Sequence, residues 1–138
     1  MDESRALHSS VEEIAESATM LAEDFGEFPD LLETITDTFR EFFFADLEAL
    51  RAAASAGDCE RVRFLAHKFK GSFLAFHLGR ASARAAALEE QAGQGDLSAA
   101  GASIEAISYA FGEVNATVEH AARILAEGMD GSAGVAGI

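Results

Sequence analysis

Residues 66–72 read AHKFKGS. His67 is the one residue of this stretch that can act as a nucleophile near neutral pH, because a free imidazole titrates near 6.5. Lys70 follows three residues later and Gly71 four residues later, so both stand next to His67 on a helix surface. A lysine there offsets negative charge gathered on the ring. A glycine inside a helix costs about 1 kcal/mol relative to alanine, and what it provides is clearance beside the imidazole. A bare nucleophile, a cation and open space suit acceptance of a phosphoryl group from a partner that supplies its own electrostatics.

The elements that carry these residues are helical. Apolar residues make up 49% of the 138-residue chain, with only one proline. One helix is expected from Ser10 to Asp24, opened by a Ser10–Glu13 capping box, with Val11, Ile14, Ala18 and Leu21 as its stripe. A second starts at Pro29 or Asp30, with Asp30–Glu33 as a further box, and ends at Gly57. Asp58 caps a third, which holds His67. A turn near Gly79 leads to a fourth, ending near Gln91. The GQGD stretch (93–96) then breaks the chain, with Asp96 capping a last helix from Leu97 to Glu127. The glycine- and alanine-rich residues 128–138 are expected to be a flexible tail. Short connections between long amphipathic helices predict an all-α, antiparallel bundle.

Helical periodicity decides where His67 points. At about 100° per residue, Val62, Leu65, Phe69, Phe73 and Phe76 form one stripe, and His67 lies about 160° from its centre. The five apolar residues face the core and the imidazole faces water. Phe64 and Leu74 share its outward face, which marks a docking surface. On the second helix Ile35, Phe39, Phe42, Phe43 and Leu50 form the core stripe. Asp46 falls on that stripe, which calls for helix curvature or a polar partner. Phe44 points away, and either extends the docking patch or packs against the first helix.

Composition narrows the function. The net charge is −14, against nucleic acid as a partner. Residues 59–90 nonetheless carry Arg61, Arg63, Lys68, Lys70, Arg80 and Arg84 against Glu60, Glu89 and Glu90, a basic island of net +3 on a molecule that is otherwise −17. No apolar run is long enough to span a membrane, and the polar start MDESRALHSS is no secretory signal. The lone Cys59 fits a reducing compartment, so the cytoplasm is expected. Nucleophile-elbow, HExxH, ExxH and phosphate-loop motifs are all lacking. His67 and His77 stand about 15 Å apart along a helix, too far to share a metal. Within helical spacing of His67 the sequence offers no orienting carboxylate except Glu60, two turns away.

AHKFKGS resembles the H-x-x-K-G-S signature of histidine-containing phosphotransfer (HPt) domains. The family's Leu-Glu pair, 21 and 22 residues after the histidine, is matched by Leu88 and Glu89. Gly57-Asp58 upstream and GQGD downstream also fit, so the resemblance covers roughly residues 28–127. One departure stands out: the family usually has glycine ten residues after the histidine, and here His77 takes that place, in a bland helix-end role. The resemblance implies an all-α, antiparallel four-helix bundle with an additional N-terminal helix, forming a single domain over 1–127. It implies phosphorylation of His67 on its outer ring nitrogen by a receiver-domain aspartyl phosphate, then transfer to another receiver. Lys70 and Gly71 are the implied core of that site, with Ser72, Lys68 and Arg63 supporting it and Phe64, Leu74 and Phe44 docking the partner. Such a phosphocarrier has no kinase site and no cofactor of its own, since Mg²⁺ comes with the receiver. Its partners are receiver domains of response regulators and hybrid sensor histidine kinases, and it is expected to be a freestanding monomer. The alternative is a helical adaptor that binds the same partners without being phosphorylated. A di-metal bundle enzyme would need inward carboxylate–histidine pairs that this sequence lacks.

Overall fold

The computed structural model describes residues 8–136, with the side chains described as far as Gly128. Five helices follow one another: α1 (Val11–Asp24), α2 (Pro29–Ser55), α3 (Cys59–Ala75), α4 (Gly79–Gly93) and α5 (Ala100–Ala136). Among the described residues there is no strand.

Local chemistry sets most of the helix ends. The Ser10–Glu13 box forms as expected: the Glu13 amide donates to Ser10 Oγ at 3.1 Å, and the Ser10 amide donates to Glu13 Oε1 at 3.2 Å. Asp58 Oδ1 accepts from the Arg61 amide at 3.1 Å. Pro29 occupies the first turn of α2, but no Asp30–Glu33 box forms, because the capping position falls on Phe28. Asp96 closes a turn instead of capping a helix at Leu97. Its Oδ1 accepts from the Ser98 amide and hydroxyl, and α5 begins at Ala100. At its far end α5 runs past Glu127 to Ala136. The expectation of a flexible tail bears on side chains from Met129 onward, and on residues 137–138, that lie outside the described residues.

Three helices stop in the same way. The amides of Asp58, Leu78 and Asp96 each reach back to a carbonyl five residues earlier, at 2.9 Å, and the residue before each has positive φ: Gly57 (71°), His77 (60°) and Gly95 (76°). This is the Schellman stop, whose left-handed residue is ordinarily glycine. His77 meets the same requirement with a side chain. Its Nε2 pairs with Asp24 Oδ2 at 2.6 Å, and its carbonyl accepts from Ser17 Oγ at 2.7 Å. The helix-end role expected of His77 therefore includes fastening the α3–α4 turn to α1.

Helices α2 to α5 form a ring in which each packs on the next and α5 closes on α2. Neighbours run antiparallel. Phe39 meets Phe76 while Asp46 meets Lys68, and Arg40 meets Asn115 while Phe44 meets Phe111. Helix α1 lies on α5 and crosses to α4 through Glu13 and Arg80. The core is rich in phenylalanine: Phe43, Phe69, Phe73 and Phe76 are buried, and Phe39 and Phe111 pack against them. All five predicted core residues of α3 are buried.

Two stripes needed correction. In α2 the buried face is Leu32, Thr36, Phe43, Leu47 and Leu50, whereas Ile35 and Phe42 are 40% and 50% exposed and Phe39 only partly buried. The inward line is rotated because α2 must face both α3 and α5. Thr36 can join it because its hydroxyl donates to the Leu32 carbonyl at 2.7 Å. In α1, Ala18 and Leu21 are buried, but Val11, in the first turn, is exposed.

The His77 stop yields a stability test. Alanine there keeps the left-handed strain and loses the Asp24 pair, while glycine loses the pair but relieves the strain. His77→Ala should be less stable than His77→Gly by about 1 kcal/mol in urea unfolding. Equal midpoints would mean that the turn stores no such strain.

Candidate functional site

The core stripe of α3 leaves the opposite face to solvent, and His67 stands there with its side chain 66% exposed. Its Nδ1 lies 2.8 Å from Glu89 Oε2. The other oxygen, Glu89 Oε1, lies 2.9 Å from Lys70 Nζ. One carboxylate from α4 thus serves two side chains of α3. A carboxylate only accepts hydrogen bonds, so Nδ1 must carry the proton in the neutral ring. The lone pair of that ring is then on Nε2.

The Glu89 carboxyl is held below its ordinary range. The hydrogen bond from Lys70 is the largest cause and that from His67 adds to it, while partial desolvation works the other way. A carboxylate with a depressed pKa stabilises the fold fully above its ordinary value of 4.5. That contribution fades as the pH falls through the lower folded-state value.

The sequence misses this partner. Glu89 comes from the neighbouring helix, so no periodicity within α3 could reveal it, and Glu60 does not fill the role. The one available signal was the Leu88-Glu89 pair at its fixed distance from His67.

Gly71 faces open space, and a Cβ added there would meet nothing within 4 Å. The clearance therefore serves no packing need inside the molecule. Phe64 and Leu74 are 60% and 56% exposed on the same face, and the Arg61 guanidinium lies over the Phe64 ring at 5.7 Å. Arg63 is exposed on the α4 side, and its Cδ sits 3.5 Å from where a Gly93 Cβ would stand.

Three of the expected site residues lie elsewhere. Lys68 turns to α2, pairing with Asp46 at 2.9 Å and lying over the Phe42 ring at 5.9 Å. That pair explains the acidic residue on the α2 stripe. Ser72 donates to the Lys68 carbonyl at 3.2 Å and lines a cavity of about 300 Å³ between α2 and α3. Phe44 packs on Phe43 and Phe111 along the α2–α5 seam, so it does not extend the patch beside His67. Its azimuth on α2 carries it to the side away from α3. Among the described residues no group of three histidine, cysteine, aspartate or glutamate side chains is placed to hold a metal ion, and no helix is long and apolar enough to cross a membrane.

A family model described as Hpt domain matches residues 34–127. The chain belongs to the Hpt domain family, whose members are phosphocarriers of phosphorelays, work with receiver domains and are not enzymes in their own right. Searches of curated proteins and of solved structures gave no match.

The double use of Glu89 predicts a titration. Lys70→Ala removes the largest cause of its depressed pKa, so the Glu89 midpoint should rise toward the ordinary carboxylate value. Carbon-detected NMR of the labelled carboxyl reads this directly, and an unmoved midpoint would contradict the assignment of cause.

Proposed function

We propose that His67 carries the phosphoryl group in a His–Asp relay, taking it from the aspartyl phosphate of one receiver domain and passing it to the aspartate of another. The observation behind this reading is the bond from Nδ1 to Glu89, which directs the lone pair to Nε2 on an exposed ring. In the forward step Nε2 attacks phosphorus, the P–O bond to the receiver aspartate breaks, and its electron pair returns to the carboxylate. The ring becomes a cation held against Glu89, with the Nδ1 proton still in that hydrogen bond. The reverse step regenerates neutral His67.

The remaining residues take simple parts. Lys70 lowers the electrostatic cost of a dianion beside Glu89. Gly71 leaves room for the receiver's active-site loops, and Phe64 and Leu74 give them an apolar seat. Arg61 and Arg63, both exposed on α3, attract the acidic pocket of a receiver. We assign the Mg²⁺ of the transfer to that pocket. The relay reading also places the protein in the cytoplasm, acting as a monomer with this face kept for its partner.

Incubation with a phosphorylated receiver domain and Mg²⁺ should label the protein with acid-labile, base-stable phosphate. His67→Gln should lose all label while retaining its helical circular dichroism. Continued labelling of that variant would move the site to another residue.

A further inference from the structure

Resting on the relay reading, we propose that Arg63 binds the phosphoryl group carried by His67. The first reason is charge. A phosphoryl group brings about two negative charges, and the cations near His67 are already committed. Lys70 is shared with Glu89, Lys68 is paired with Asp46 toward α2, and Arg61 rests on the Phe64 ring. Arg63 is exposed and has no ion pair among the described residues.

The second reason is position. Arg63 lies four residues before His67, so the two side chains are neighbours on the surface of α3. Helical side chains incline toward the N-terminus, which tips the imidazole toward the turn that holds Arg63. The arginine stem passes Gly93 of α4, its Cδ 3.5 Å from where a Cβ there would stand. Its guanidinium is a planar fork suited to two phosphate oxygens at once. Arg63 forms hydrogen bonds only; the P–N bond, the broken P–O bond and the Nδ1 proton are as in the transfer step above.

The test separates contact with the phosphoryl group from contact with the receiver. Phosphoramidate, a small phosphodonor, is used to load His67 without any receiver, and ³¹P NMR then follows the second ionisation of the phosphate. A nearby cation lowers that midpoint. Arg63→Met keeps a stem over Gly93 but removes the charge, and its midpoint should rise by about 0.5 unit, with Arg63→Lys restoring most of the difference. In a mixture with a phosphorylated receiver, Arg63→Met should shift the phosphoryl balance about fivefold toward the receiver. A midpoint in Arg63→Met equal to that of the unaltered protein overturns the proposal. So does a change confined to the rate of receiver-driven transfer, which would place Arg63 against the receiver instead. Failure of the unaltered protein to take phosphate on His67 from either donor is a different result and removes the relay reading with it.

Discussion

The Glu89 carboxylate ties the candidate site together. Its two oxygens hold the Nδ1 edge of His67 and the Lys70 ammonium at 2.8 and 2.9 Å, and so set both the tautomer of the ring and the place of the nearest cation. Neither α3 residue is oriented by its own helix alone. The arrangement needs α4 to present residue 89 level with residue 67, which makes the chemistry a consequence of helix register. In the proposed relay it also carries a cost: the carboxylate that directs the lone pair would repel a dianion arriving at the other nitrogen. In that proposal Lys70 offsets part of the repulsion, and Arg63, exposed one turn away, offsets more.

The register is fixed from both sides of the α3–α4 turn. Inside, Phe69, Phe73 and Phe76 lock α3 against Phe39 and Phe43, with Leu65 and Leu88 fully buried in the same core. At the turn, the Leu78 amide closes on the Phe73 carbonyl, and His77 is tied to Asp24 and Ser17 of α1. The added N-terminal helix thus supports the turn that sets the spacing between His67 and Glu89. A left-handed histidine, which is uncommon outside turns and functional sites, is accounted for by this fastening.

Much of α3 was legible in the sequence because one helix's periodicity reports its own inward face. The five buried residues, the outward His67 and the neighbouring Lys70 and Gly71 all follow from spacing. The Ser10 and Asp58 caps and the Gly57 stop were legible because capping chemistry is local. What depends on two helices was not. The α2 stripe was misplaced at Ile35 and Phe42 because its true centre is set by α3 and α5 together. Lys68 and Phe44 stand where Asp46 and Phe111 hold them, which no pattern within their own helices reports. Glu89 was visible only as a family spacing, with nothing in its own helix to say that it meets His67.

The tautomer of His67 tests the central claim most directly. Above its titration, long-range ¹⁵N–¹H spectra of the unphosphorylated protein should show Nδ1 protonated and Nε2 bare, with Glu89→Ala shifting the ring toward the Nε2-protonated form. A ring protonated on Nε2 in the unaltered protein would contradict the account, since the nitrogen that the proposed transfer offers to a receiver would then hold a proton instead of a lone pair.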